Sequence, residues 1–266
     1  MIDYSRELKE QKQELDMLVQ KAKKHKKTFE TLPEGNIRVS VSNGCPQYYF
    51  TRKGSEQVKY IPTKDKEFAR RLVQRDYEKK ALRKLESMQR DMECFLKKYD
   101  AKILDRLYEK LCDGRKILVT PLAMPDDEYV KRWLESFPGE QNPYPEQGKY
   151  ETEQGEIVRS KSEKILADMF HKLKIPYRYE PKVSLDHHKS FYPDFACLNI
   201  RKRKTIYWEH LGLVSDMEYA IKNFTKLEIY ERNGILIGDT LLVSMETSEN
   251  PLDLALVRKK IELFLK

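Results

Sequence analysis

The spacing of apolar residues changes twice within the first 60 residues. From residue 4 to 27 the apolar side chains form a narrow stripe at helical spacing, which predicts an amphipathic helix; the stripe consists of Leu8, Leu15, Leu18, Val19 and Ala22. From residue 36 to 60 apolar and polar residues alternate instead. Alternation places one set of side chains on each face, so this segment predicts a short antiparallel hairpin or a three-stranded sheet.

A longer helical pattern follows, from about residue 64 to residue 111. Since this exceeds an ordinary globular helix, it predicts two helices or a helical hairpin with a break near residues 97–100. Five prolines then punctuate residues 120–148, around one short predicted helix at 126–136. The predicted organisation is a mostly helical N-terminal module with a small β-hairpin, a proline-rich connector and a second domain, at residues 1–120, 121–149 and 150–266.

The second domain has a more regular pattern. Helical and strand-like segments follow one another in the order α-β-β-β-α-β-α, at residues 156–173, 177–185, 191–199, 205–211, 216–232, 235–237 with 240–245, and 251–265. Strands that alternate with helices in this way predict an α/β fold in which helices flank a mixed sheet.

Composition adds an expectation about partners. Lysine and arginine outnumber aspartate and glutamate by 51 to 43, a net charge of +8 with a pI near 9.0. A basic excess favours nucleic acid as a partner, because neutralising phosphates releases counterions. The four cysteines lie apart without a CxxC pair, which argues against a zinc knuckle or disulfide framework and favours a reducing, cytoplasmic location. No signal-peptide pattern or bilayer-spanning apolar run is seen, so membrane association is not expected.

Two acidic residues interrupt apolar strands of the second domain. Asp194 lies within FYPDFACL, and Glu209 lies within TIYWEHLG. Carboxylates are almost never fully buried unless they are paired or bind a metal, because removing the charge from water is costly. Two adjacent strands that each carry one such acid therefore predict a shared divalent cation, and oxygen ligands suit Mg²⁺. The alternative is that each acid forms an ion pair with a nearby lysine or arginine.

The order of these residues resembles the PD-(D/E)XK nuclease superfamily over residues 150–266. The resemblance comprises a Pro-Asp dipeptide ending at Asp194, then Glu209 on the following strand, after a helix that carries Glu163 and before a basic helix. The stretches VRSKSE, YRYE, YPDF and YWEHLG also resemble a lineage of bacterial and phage proteins within it. The resemblance implies a restriction-endonuclease-like fold and an endonuclease that hydrolyses phosphodiester bonds, with DNA as the expected substrate. It further implies that Asp194 and Glu209 hold Mg²⁺ or Mn²⁺, with Glu163 binding directly or through water and the His210 carbonyl as a further ligand.

One position departs from the pattern of that superfamily. The motif ordinarily ends in a lysine that positions the attacking water, but here this residue is Leu211, on the same strand face as Glu209. The next helix offers candidates near one face, namely Tyr219, Lys222, Lys226 and Tyr230. Lysine migration to this helix is known in the superfamily, so Lys226 is the expected substitute and Lys222 the second choice. If both are plain surface lysines, the domain is a catalytically silent module that binds nucleic acid or protein.

Several other residues of the sequence have more than one possible role. His187 and His188 are adjacent, without a third ligand at zinc spacing, so a polar turn or a phosphate-binding loop is expected there. Glu180 is either an acid near the site or a strand-end ion-pair partner. The basic turn at residues 201–204 is predicted to follow a phosphate backbone, or else to be a solvated turn. The aromatic segment 48–50 is either a stacking surface or the core of a small sheet. A homodimer or a protein partner bound through the N-terminal helices is a further possibility.

Overall fold

The computed structural model of the protein describes residues 1–139, 149–184, 190–212 and 215–266. His187, His188 and most of the second half of the predicted connector lie outside these ranges. The described chain divides into two compact units. The N-terminal unit comprises residues 4–100, and the C-terminal unit comprises residues 1–3 together with 101–266.

The N-terminal unit consists of two long helices and a small sheet. Its elements in chain order are α1 (Ser5–Thr28), β1 (Gly35–Ser42), β2 (Cys45–Arg52), β3 (Val58–Ile61), a 3₁₀ turn (Thr63–Asp65) and α2 (Lys66–Lys98). The strands are antiparallel in the order β1-β2-β3, as the alternating pattern predicted. Helix α1 packs against α2, and the unit buries Leu15 and Val19 of α1 and Leu72 and Leu82 of α2.

The predicted break in the long helical stretch is confirmed, but the boundary between the two units differs from the prediction. Helix α2 ends at Lys98, and two short helices follow, α3 (Ile103–Glu109) and α4 (Asp113–Lys116). The units divide after Asp100 rather than within residues 121–149. The reason is that α5 (Asp126–Ser136), predicted as part of a connector, packs on the sheet of the C-terminal unit. Its Trp133 is buried with Ala196 and Leu198.

The C-terminal unit contains the predicted alternation of helices and strands. Its further elements are β4 (Tyr150–Glu151), β5 (Ile157–Val158), α6 (Lys161–Lys172), β6 (Tyr177–Tyr179), β7 (Val183–Ser184), β8 (Ser190–Phe191), β9 (Phe195–Asn199), β10 (Lys204–Leu211), α7 (Met217–Arg232), β11 (Leu241–Met245) and α8 (Leu254–Lys260), which continues as a π-helical turn (Ile261–Leu265). The α/β class is therefore confirmed. Two of the predicted segment boundaries in this unit were wrong. Residues 156–160 precede α6 and include β5, and residues 235–237 form only an isolated bridge, from Ile237 to Leu241.

A four-stranded mixed sheet lies at the centre of this unit, in the order β11-β10-β9-β6. Neighbours β6, β9 and β10 are antiparallel, whereas β10 and β11 are parallel, which requires the crossover that α7 supplies. One face of the sheet packs with α6 and α8, and the other packs with α7. Because side chains alternate along β10, Trp208 points to the first face and Glu209 to the second. In the described ranges no helix is long and apolar enough to cross a membrane.

Candidate active site

Asp194 lies at the point where the pairing of β9 with β10 ends. It was predicted inside a strand, but β9 begins one residue later, at Phe195, opposite Trp208 of β10. The next residue of β10 that faces β9 is His210, whose partner in this register would be Pro193. A proline has no N–H to contribute to the ladder, so regular pairing stops there. The His210 N–H instead donates to Oδ2 of Asp194, over 2.6 Å.

The backbone of His210 faces this same end of the strand. The Tyr207 N–H bonds to the Thr240 carbonyl, on the β11 side of β10. Because backbone groups alternate in direction along a strand, the N–H and the carbonyl of His210 both face the β9 side. The carbonyl predicted as a metal ligand is thus on the same edge of the strand as Asp194.

Glu209 is buried and held by two residues of α7. Its side chain is 3% exposed. The Lys226 ammonium lies 2.8 Å from each of its carboxylate oxygens, and the Tyr230 hydroxyl donates to Oε1 over 2.8 Å. Lys226 and Tyr230 are four residues apart and therefore share one face of α7. These charge-assisted contacts offset the cost of taking the Glu209 carboxylate out of water.

Lys226, rather than Lys222, is the lysine that contacts Glu209. Its ammonium also donates to the Tyr192 carbonyl over 3.2 Å. Burial lowers the pKa of Lys226, but the negative charges of Glu209 and Asp194 outweigh this effect and raise the pKa above its usual value. The side chain is therefore an ammonium ion at neutral pH. Lys222 is exposed, one helical turn before Lys226.

The charges around Asp194 disfavour its ionised form. Burial raises the pKa of Asp194 well above its ordinary value, and repulsion from Glu209 and Glu163 acts in the same direction. The Lys226 ammonium and the His210 N–H oppose this rise without cancelling it. Like charges held close together in a poorly solvated place are the electrostatic condition under which binding a cation is favourable.

Glu163 has a structural role in addition to its proximity to Asp194. It is the third residue of α6 and forms a capping box with Ser160, whose hydroxyl accepts from the Glu163 N–H over 3.0 Å. Its Oε2 accepts from the N–H groups of Arg159 and Ser160 and from the Tyr179 hydroxyl. The Ser-x-x-Glu spacing is a readable helix-start signal, so this role could have been predicted from the sequence.

Glu180 forms an ion pair at the end of β6, as one of its two predicted roles required. Its Oε1 lies 2.7 Å from Nη2 of Arg159. Its backbone N–H donates to the Asp194 carbonyl over 2.9 Å, so the end of β6 positions the Asp194 backbone.

The side chain of His210 points away from the two acids, into a polar network that the sequence analysis missed. Its Nδ1 lies 3.0 Å from the Ser244 hydroxyl, which also accepts from Trp208 Nε1. Its Nε2 lies 3.5 Å from Glu246, which accepts from the Ser162 hydroxyl. Burial lowers the pKa of His210, so the ring is neutral at pH 7. The network joins β10, β11 and α6, and it supports the backbone that contacts Asp194.

The donor atoms fit a hard divalent cation better than a transition metal. Among the described residues no group of three or more His, Cys, Asp or Glu side chains is arranged to hold a metal ion. Two carboxylates, Asp194 and Glu209, and one backbone carbonyl remain. Mg²⁺ commonly uses one or two protein carboxylates and completes its shell with waters and substrate phosphate oxygens.

The basic turn at residues 201–204, which was predicted either to follow a phosphate backbone or to be a solvated turn, contacts surrounding residues of its own unit. Three of its four cations make contacts within the C-terminal unit: Arg201 with the carbonyls of Asp3 and Lys266, Arg203 with Asp126 and the ring of Tyr129, and Lys204 with Asp239. These contacts tie the β9–β10 turn to its surroundings.

Comparisons with known proteins leave the family of the chain open. No protein-family profile and no solved structure matches it. An uncharacterized protein of Methanocaldococcus jannaschii is 37% identical over 122 residues, which cover 41% of this chain and 10% of that protein. The chain therefore spans about a tenth of the length of that relative, whose description states no function.

Proposed function

We propose that the C-terminal unit is a metal-dependent nuclease of the PD-(D/E)XK type, with a restriction-endonuclease-like fold, and that it hydrolyses phosphodiester bonds in DNA. The observation that carries this proposal is the position of Lys226. Its ammonium reaches Glu209 from α7 and interacts electrostatically with Asp194, at the side of the sheet where Leu211 leaves the motif without its lysine. Two acids and one lysine thereby come together from the residue before β9, from β10 and from α7.

The order of the elements also supports the proposal. A helix, three antiparallel strands, a crossover helix and a parallel fourth strand follow one another as α6, β6, β9, β10, α7 and β11. In this arrangement Asp194 and Glu209 approach each other because β9 and β10 are neighbours, and α7 covers the face to which Glu209 points.

Each residue has a distinct role in the proposed reaction. Asp194, Glu209 and the His210 carbonyl would hold Mg²⁺ or Mn²⁺, with the Glu163 charge nearby. The cation would supply Lewis acidity and lower the pKa of water. Lys226, an ammonium at neutral pH, would donate a hydrogen bond to the attacking water or to a phosphate oxygen and offset its charge. The Tyr230 hydroxyl would keep the Glu209 carboxylate in its orientation.

Plasmid cleavage tests the proposal. Supercoiled DNA should be nicked or cut by the full chain in Mg²⁺ or Mn²⁺ and left intact in EDTA. We expect Asp194→Asn and Glu209→Gln to abolish cleavage and Lys226→Met to slow it by about 100-fold, the scale of losing one positioned hydrogen-bond donor. Lys222→Met, an exposed lysine on the same helix, is the matched control and should cut at the native rate. Native cleavage rates in both acid variants would refute the proposal.

A catalytically silent, nuclease-like module that binds nucleic acid or protein is the second candidate. It is favoured by the contacts of Glu209, whose two oxygens already lie against Lys226 and Tyr230. Calorimetric titration with Mn²⁺ separates the two functions. The nuclease requires Mn²⁺ binding that is lost in Asp194→Asn, whereas a silent module gives no such binding and no cleavage.

A further inference from the structure

The net positive charge of the chain comes from the N-terminal unit. Residues 4–100 contain 24 lysines and arginines against 15 aspartates and glutamates, whereas the rest of the chain contains 27 against 28. The sheet of this unit is the extreme case, because β1, β2 and β3 contain no aspartate or glutamate and carry three cations, Arg38, Arg52 and Lys59.

The two faces of this sheet differ in their surroundings. On one face Phe50 contacts Phe68 of α2 edge to face, at 5.6 Å between ring centroids, and Ile61 is buried. The other face carries a cross-strand row formed by Arg38, Tyr49 and Tyr60, which the register places side by side on β1, β2 and β3. Arg38 is exposed, and Tyr60 is 49% exposed. The aromatic segment 48–50 therefore contributes both to the packing against α2 and to the opposite face of the sheet.

The geometry of this row is suited to stacking on flat aromatic groups such as unpaired bases. The rings of Tyr49 and Tyr60 lie 5.5 Å apart and are inclined by 59°. The Tyr49 hydroxyl donates to Gln47 over 2.8 Å, which orients its ring. A guanidinium next to one half-buried and one exposed tyrosine, on strands that contain no acidic residue, can stack on a base or pair with the adjoining phosphate.

We infer that the row of Arg38, Tyr49 and Tyr60 binds the unpaired bases of single-stranded nucleic acid. Charge complementarity selects a polyanion for this unit, and the aromatic rings select one whose base faces are accessible. A duplex keeps its base faces within the stack and would use only the charges. The proposed nuclease would then act on substrates that contain single-stranded segments. The inference rests on the proposed function only in naming the bound strand as substrate.

Fluorescence anisotropy with the full chain in EDTA tests binding without cleavage. The probes are labelled 20-nucleotide oligo-dT, 20-nucleotide oligo-U and a 20-base-pair DNA duplex. We expect Tyr60→Ala to weaken single-strand binding by about tenfold, the effect of losing one base–aromatic stack. Tyr60→Phe should retain the affinity, Arg38→Gln should reduce it, and duplex binding should change by less than about twofold in Tyr60→Ala. Tyr77→Ala, which removes an exposed tyrosine of α2, is the control and should bind as the native protein does.

Each outcome of the binding experiment supports or refutes the inference that this row binds unpaired bases. Unchanged single-strand binding in Tyr60→Ala and Arg38→Gln overturns the inference, and so does an equal loss for single strands and duplex. Thermal melting of each variant checks that it is folded. If Tyr60→Ala does not fold, Arg38→Gln and Tyr60→Phe are compared with the native protein instead. A loss of affinity for single strands but not for the duplex supports the inference for both DNA and RNA. The affinities for oligo-dT and oligo-U then show which of the two is preferred. If Asp194→Asn and Glu209→Gln both cut at the native rate but the Tyr60 effect remains, the nuclease proposal fails and the binding inference stands.

Discussion

Lys226 shows how one residue can meet both a folding requirement and a chemical one. Glu209 is 2% exposed, and a carboxylate in such a place is costly unless a cation or hydrogen-bond donors face it. The ammonium of Lys226 and the hydroxyl of Tyr230 provide that compensation in the absence of a metal. The same ammonium is the group that the proposed reaction requires.

This double role leads to a prediction about stability. Lys226→Met should lower the free energy of unfolding in EDTA by about 1–3 kcal/mol, because it leaves a buried carboxylate without its partner. Mn²⁺ should raise the melting temperature of Lys226→Met by more than that of the native protein, because a bound cation would replace the missing positive charge. Thermal melts with and without Mn²⁺ measure both effects, and Lys222→Met is the control. Equal Mn²⁺ shifts in the native and Lys226→Met proteins would contradict this account.

At the scale of elements, the start of α6 connects helix formation with the position of Glu163. Ser160 and Glu163 satisfy each other's backbone N–H groups, and the Tyr179 hydroxyl of β6 joins them. A capping box thus holds an acidic side chain beside the strand ends that carry Asp194 and Glu209. The helix therefore begins at Lys161, five residues later than the helical pattern alone predicted.

We expect Ser160→Ala to destabilise the protein by about 1 kcal/mol, the usual cost of losing an N-cap hydroxyl. Thr225→Ala is a suitable control, since its hydroxyl bonds within α7 to the Ile221 carbonyl on an exposed surface. Urea denaturation of the two variants gives the comparison. A Ser160→Ala variant as stable as Thr225→Ala would mean that the capping box contributes little to α6.

At the scale of the whole molecule, net charge is divided unevenly between the two units. The proposed active site lies in the nearly neutral C-terminal unit, and the excess of cations lies in residues 4–100. For the proposed nucleic-acid partner, this division predicts that the N-terminal unit supplies most of the electrostatic affinity, because affinity for a polyanion follows the number of phosphates neutralised.

The salt dependence of DNA binding checks this assignment. We expect the double variant Lys80→Ser/Lys84→Ser, which removes two exposed lysines of α2, to weaken duplex binding. It should also reduce the slope of log K against log salt by about 0.9 for each lost phosphate contact. Lys131→Ser/Lys259→Ser removes the same charge from exposed positions of the C-terminal unit and should change the slope less. Equal slopes for the two double variants would show that both units contribute alike.

The sequence alone determined the features that depend on local spacing. Periodicity predicted the helix break near Lys98, the three-stranded sheet and the order of elements from α6 to α8, because side-chain direction repeats every 3.6 residues in a helix and every two in a strand. Asp194 and Glu209 could be selected because charged residues in apolar segments require partners. Lys226 was selected through the resemblance to the PD-(D/E)XK superfamily, because Leu211 occupies the position of the usual lysine.

Only the tertiary structure decided which partners each group has. The boundary between the units follows from the burial of Trp133 on the sheet of the C-terminal unit. The basic turn at residues 201–204 contacts Asp126, Tyr129 and Asp239. The ring of His210 lies against the Ser244 hydroxyl. These contacts join residues 34 to 77 positions apart, and no local pattern encodes them. They arise when the sheet and helices assemble and each buried polar group must find a hydrogen-bond partner.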